Sequence, residues 1–146
     1  MPHVEETIYI NAPVERVFEF IANQPERMPE WWPPMTLQER VTPAPTGLGS
    51  VSRYVYSMVG LEIKGEHEVR EFDPPRRLVV TTTSGIDSTF DYTFSAEGEG
   101  CNLAVRVDYE LPGGFLGRIA NKVVVERKNV EDLRAGLQNL KSLLEG

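Results

Sequence analysis

His67 sits where few histidines would be placed by chance. It interrupts an apolar series of alternate residues in a strand whose other face is charged. If Val59-Gly60 is a two-residue hairpin turn, Met58 lies opposite Leu61, Tyr56 opposite Ile63, Tyr54 opposite Gly65 and Ser52 opposite His67. Ser52, Tyr54, Tyr56, Met58, Leu61, Ile63, His67 and Val69 then share one face. Arg53, Glu62, Lys64, Glu66, Glu68 and Arg70 share the other, a solvent face. A slip of one residue on one strand would break this pairing. An imidazole with an ordinary pKa near 6.5 suits proton transfer at neutral pH, so His67 is a candidate general acid/base or a hydrogen-bond donor to a ligand. The plainer alternative is a half-buried histidine with a backbone or tyrosine partner. Tyr54 and Tyr56 offer hydroxyls to a ligand oxygen, or serve as amphipathic wall.

A second group of candidates lies near the C-terminus. From Gly114 to Glu145 the chain reads as one long amphipathic helix, with Ile119, Val123, Val130, Leu133, Leu137, Leu140 and Leu144 at three-four spacing. Glu126 continues that rhythm between Val123 and Val130, and Arg127 flanks it. An unpaired buried charge costs several kcal/mol. The pair therefore reaches a polar cavity, snorkels to its mouth, or marks a bend in the helix. Trp31 and Trp32, beside Pro33-Pro34, are placed to lid a cavity or stack on a flat ligand, or to pack the short helices on the sheet.

These side chains need elements to hold them. His3 to Ile10 alternates as a strand. Asn11-Ala12-Pro13 ends it and opens a helix, with Asn11 or a neighbour as cap. Gln24-Pro25-Glu26 starts a second short helix reaching about Trp31. Strands follow over Met35 to Val41, Val51 to Met58, Leu61 to Phe72, Arg76 or Leu78 to Thr83, Thr89 to Ser95, and the run of Leu103, Val105, Val107 and Tyr109. Thr82, Phe90 and Tyr92 join the candidate lining from two of these strands, with Ile63 from a third. The order β-α-α-β-β-β-β-β-β-α with short turns predicts an antiparallel meander. A lone long helix buries its stripe only if a curved sheet wraps it, and that arrangement tends to leave a hollow.

The 146 residues predict a single domain spanning 1–146. A net charge of −7 disfavours nucleic acid and anionic membrane surfaces as partners. No apolar run approaches the roughly 20 residues that span a bilayer, and the start lacks a signal-peptide pattern, so a cytoplasmic protein without membrane insertion is expected. One cysteine and two histidines predict no disulfide and no metal site. Gly47-Leu48-Gly49 lacks the spacing of a phosphate cradle and reads as a tight turn, and no cofactor is expected. A homodimer is left open.

Five segments in order carry a family resemblance. They are Val4-x-x-Thr7-x-x-Ile10-x-Ala12-Pro13-x-x-x-Val17-Phe18, Trp31-Trp32-Pro33-Pro34, Gly47-Leu48-Gly49-Ser50, Asp73-Pro74-Pro75-Arg76-Arg77-Leu78 and Leu137-x-x-Leu140-Lys141-x-x-Leu144-Glu145. Together they resemble the START-like (SRPBCC) superfamily, and within it the polyketide cyclase/dehydrase-like group. The resemblance implies an α+β helix-grip fold: a seven-stranded curved antiparallel sheet around a long C-terminal helix, with two short helices after the first strand. The superfamily includes lipid and hormone binders, aromatic-polyketide cyclases, coenzyme Q-binding proteins and co-chaperone-like activators, so fold alone selects no function. No catalytic residue carries over, because no shared catalytic motif matches. Three readings stand: binding of a small hydrophobic or aromatic molecule, lipid or polyketide-like, in the cavity; a cofactor-independent cyclase or dehydratase using acid/base groups there; and a protein-interaction module with a filled cavity.

Overall fold

The computed structural model describes residues 3–58, 60–110 and 122–145. Seven strands form one antiparallel sheet: β1 (His3–Ile10), β2 (Met35–Arg40), β3 (Val51–Met58), β4 (Leu61–Asp73), β5 (Arg77–Thr82), β6 (Asp87–Glu97) and β7 (Gly100–Glu110). Their spatial order is β1-β7-β6-β5-β4-β3-β2. The consecutive strands β2 to β7 form the meander that short turns dictate. β1 adds to its far edge by pairing with β7, from His3↔Asp108 to Ile10↔Cys101. The chain therefore travels from one edge of the sheet to the other between β1 and β2. Helix α1 (Val14–Asn23) and a 3-10 helix (Pro25–Glu30) make that journey. Phe18 of α1 packs edge-on against Phe94 and Phe72, at 5.0 and 5.5 Å between ring centroids. Asn11 does not cap α1. Pro13 holds the capping position with no side-chain hydrogen bond, and the Asn11 N–H donates instead to Glu145 Oε2 at 2.7 Å.

The C-terminal helix α2 (Lys122–Glu145) closes the fold. The sequence places its start near Gly114, and residues 114–121 lie outside the described part, as does the predicted cavity residue Ile119. Val125, Asn129, Leu133, Leu137, Leu140 and Leu144 face inward. Arg134 reaches Glu6 at 2.6 Å and Lys141 donates to the Tyr9 carbonyl at 2.8 Å, lashing the helix to β1. Gly136 permits the closest approach on its other flank: a Cβ there would stand 3.0 Å from the Trp32 ring and 3.2 Å from the Trp31 carbonyl oxygen.

The β3–β4 register is the one the hairpin turn predicts, with Met58↔Leu61, Tyr56↔Ile63, Tyr54↔Gly65 and Ser52↔His67 all paired. Gly60 takes the positive φ of 79° that the turn requires. Ser52, Tyr54, Tyr56, Ile63 and Val69 are buried, while Arg53, Glu62, Lys64, Glu66 and Arg70 are exposed. The side chains of Met58, Leu61 and Val123 lie outside the described part.

β2 departs from simple alternation. Between Met35 and Leu37 the pairing with β3 shifts by one residue. Such a bulge reverses which side chains face the core. Leu37 is consequently 38% exposed while Gln38 is only 5% exposed, the inverse of what their polarity dictates.

Candidate functional site

Two apolar chambers occupy the space between the concave sheet face and the helices. The first holds about 720 Å³ of space free of atoms, counted out through its mouth, and lies between the sheet and the α1–3-10 segment. The second holds about 550 Å³ on the same measure and lies beneath Asn129 of α2. Met35, His67, Thr82 and Phe90 line both, so the two chambers adjoin at His67.

Most residues singled out in the sequence come together here. Trp31 and Tyr92 line the first chamber. Trp32, Tyr54 and Tyr56 line the second. Trp32 meets Phe90 edge-to-face at 5.6 Å and Trp31 at 6.1 Å, so the Trp31-Trp32 pair forms the roof between the chambers and the helices. Ile63 is buried but does not line either chamber.

Of the three placements open to Glu126 and Arg127, the cavity interior is not the one adopted. Both are exposed and neither lines a chamber. The reason lies in the helix rhythm. Residues 129 and 130 are both compatible with a stripe running 144, 140, 137, 133, and the inward position goes to Asn129, with Val130 half-buried. One turn earlier the stripe then falls on Val125 rather than Glu126. The polar group that α2 offers the interior is therefore an amide, 7% exposed, and not a charged pair.

His67 is enclosed on most sides, and its ring stacks on Tyr54 at 5.5 Å and 16°. Burial pulls its pKa down from 6.5 to about 4, against a small opposing effect of its own backbone. At neutral pH it is a neutral imidazole. Among the described residues no carboxylate lies within ion-pair distance of it, so no partner raises its basicity. Burial likewise pushes the Tyr56 and Tyr92 phenols far above their ordinary value, which leaves them neutral. Tyr109, at the α2 end of the second chamber, is also raised by burial, and the Asn129 side chain beside it partly offsets that rise.

The Tyr54 hydroxyl is already committed. It donates to the Ser84 carbonyl at 2.8 Å and accepts from the Ile86 N–H at 3.1 Å, pinning the β5–β6 turn. Its ring is chamber wall and its oxygen is structural. Tyr54→Phe strands both backbone groups and is expected to lower unfolding free energy by about 1–3 kcal/mol. A urea titration measures this, and an unchanged midpoint would contradict it.

Four buried polar atoms at the chambers have no hydrogen-bond partner: Gln38 Oε1 and Thr46 Oγ1 in the first, Trp32 Nε1 and Asn129 Nδ2 in the second. Asn129 Oδ1 accepts from Tyr56 Oη at 3.4 Å, and the amide also acts on the neighbouring Tyr109 phenol. Such atoms are costly to bury unsatisfied and mark places where a ligand or ordered water completes the structure. Sequence reasoning missed Gln38, Thr46 and Asn129. Strand alternation hid Gln38 behind the bulge. Thr46 sits in a loop held by the Asn23 side chain, which accepts its N–H at 2.7 Å, a contact with no sequence signature. At the mouth, Arg40 is tied to Glu26 at 3.1 Å and to the Asn23 carbonyl.

A family model described as "Polyketide cyclase / dehydrase and lipid transport" matches residues 1–145. The chain belongs to this family. Membership supports binding of hydrophobic small molecules in general terms. Among solved structures, this family member is similar to TTHA0849 from Thermus thermophilus, with 25% identity and a TM-score of 0.77 over 97% of this chain and 95% of the other. It shares its fold with the Zhui aromatase/cyclase of a Streptomyces species, with 17% identity and a TM-score of 0.77 over 99% and 93% of the two chains. Major latex-like protein 151 from Panax ginseng has the same fold at 14% identity and a TM-score of 0.74, over 99% and 98%. No curated protein matches the sequence. The helix-grip architecture that the resemblance implies is thus the observed one. Among the described residues no helix is long and apolar enough to cross a membrane.

Proposed function

We propose that this protein binds a small hydrophobic or aromatic molecule in the adjoining chambers between the sheet and the helices. The observation that carries this reading is a mostly apolar and aromatic lining that also holds a few buried, unpartnered hydrogen-bonding atoms. Small-molecule sites have that composition: apolar walls for affinity, isolated polar groups for orientation. The family description, which includes lipid transport, supports it.

The same description includes cyclases and dehydrases, so a cofactor-independent catalyst is the second reading. His67 at the junction is its natural proton acceptor. A histidine held near pKa 4 is a weak base and is unprotonated as an acid at neutral pH, which favours binding over catalysis.

Both tryptophans of the chain line the chambers, which provides a direct reporter. Titration with 1-aminoanthracene, a neutral apolar fluorophore, is expected to quench tryptophan emission saturably while probe emission rises. A linear, unsaturable response would refute the binding reading.

A further inference from the structure

We propose that Gln38 determines ligand specificity in the first chamber by accepting a hydrogen bond from a hydroxyl group, so that the protein selects apolar molecules bearing an alcohol or phenol over their ether or hydrocarbon counterparts. This inference rests on the binding reading above and names the class of ligand it selects. Three observations carry it. The bulge between Met35 and Leu37 turns Gln38 into the interior and leaves Leu37 outside. A strand of regular alternation would have buried the leucine, so the local backbone places an amide where the apolar effect alone would place a hydrocarbon. Gln38 Oε1, in a side chain 95% removed from solvent, has no partner although it lines a chamber. Thr46, on the same chamber, also presents a buried hydroxyl oxygen without a partner.

The donor and acceptor complement fixes the group. Oε1 is an acceptor and requires a donor from the ligand; a threonine hydroxyl either donates or accepts. A hydroxyl group complements either atom. An ether oxygen or a ketone offers nothing to Gln38 Oε1, and a hydrocarbon leaves both atoms stranded. Sites built around a buried hydrogen-bonding group reject analogues that lack the complement, because the protein atom is then left unpaired. Arg40, which also lines this chamber and is held by Glu26 and the Asn23 carbonyl, offers only donors and cannot accept the hydroxyl's hydrogen bond.

The test compares 2-naphthol, 2-methoxynaphthalene and naphthalene by isothermal titration calorimetry on the full chain. The wild-type protein is expected to bind 2-naphthol about tenfold more tightly than 2-methoxynaphthalene. In Gln38→Leu that preference falls to within about twofold, while naphthalene binds as tightly as before or more so. Thermal unfolding of the free protein supplies the second readout. Removing a stranded buried acceptor is expected to raise Tm by about 3 °C, whereas a purely structural glutamine would lower it when replaced. Gln38→Met, unbranched and of similar volume, repeats both measurements if the leucine fits poorly. Equal binding of the naphthol and its methyl ether by the wild type, or an undiminished preference in both variants, overturns the role of Gln38 while leaving the chambers as a binding site. Failure of all three compounds to bind overturns the binding reading itself and this inference with it.

Discussion

Gly65→Ala is expected to destabilise the protein by about 3 kcal/mol or more, among the largest effects available from adding a single methyl group. A Cβ at this position would overlap the Ser84 carbonyl oxygen and stand 2.7 Å from the Tyr54 hydroxyl. Neither neighbour can yield freely. Tyr54 Oη is held by the Ser84 carbonyl and the Ile86 N–H, and Gly85, beside them, already occupies a positive φ of 85°. The glycine is the cross-strand partner of Tyr54, so the absent side chain is what lets the tyrosine lie across β4 and fasten the next turn. Because Tyr54, Ile86 and His67 line the second chamber, the substitution is expected to damage the site along with the fold. Urea unfolding compares the variant with the wild type. A loss below 1 kcal/mol would show that the strand and turn can separate without penalty, contrary to this packing.

The second large effect is a pH dependence. His67 has a folded pKa near 4 against an ordinary value of 6.5. The unfolded chain therefore binds a proton between these values that the folded chain excludes. The contribution is fully present above pH 6.5 and is lost as pH falls through 6.5 toward 4. Its full size is roughly 3 kcal/mol by linkage. The carboxylates whose folded pKa values are lowered, Glu30, Asp108 and Glu145, add their own losses from the ordinary carboxylate range downward. The upper part of the window thus belongs largely to His67. In His67→Phe, which keeps a ring against Tyr54, stability between pH 6.5 and 5 is expected to be nearly flat where the wild type declines. Parallel slopes for the two proteins would show that His67 titrates normally and is not enclosed.

How far the sequence reveals this site depends on which forces set each position. The β3–β4 hairpin was legible because a short turn with Gly60 determines the register and every residue pair then follows. His67 beside Tyr54 and Tyr56 came from that register alone. β2 was not legible in the same way. A bulge leaves no mark in composition, so Leu37 and Gln38 exchange places silently. On α2 the period of 3.6 residues leaves adjacent positions nearly equivalent, and the choice of Asn129 over Val130 is made by tertiary fit against Tyr56 and Tyr109. The three placements open to Glu126 and Arg127 follow from that ambiguity. The hydroxyl of Tyr54 looked available because its partners, Ser84 and Ile86, lie 30 and 32 residues away. Strand pairing and hydrophobic periodicity are local or repetitive signals. Polar contacts between a strand and a distant turn are neither, and those contacts decide which side chains of the chamber are committed and which are open.

The most direct test of a ligand seated between the sheet and the helices is the response of the two indole N–H resonances in a 15N-resolved spectrum during titration with 2-naphthol. The Trp32 Nε1–H is buried without a partner at the second chamber, and Trp31 roofs the first. Saturable shifts of both indole signals, accompanied by backbone shifts around His67 and Phe90, are the predicted result. Indole signals that stay fixed while shifts gather on the outer sheet face near Leu37, Arg53 and Lys64 would place the molecule outside the chambers and contradict the account.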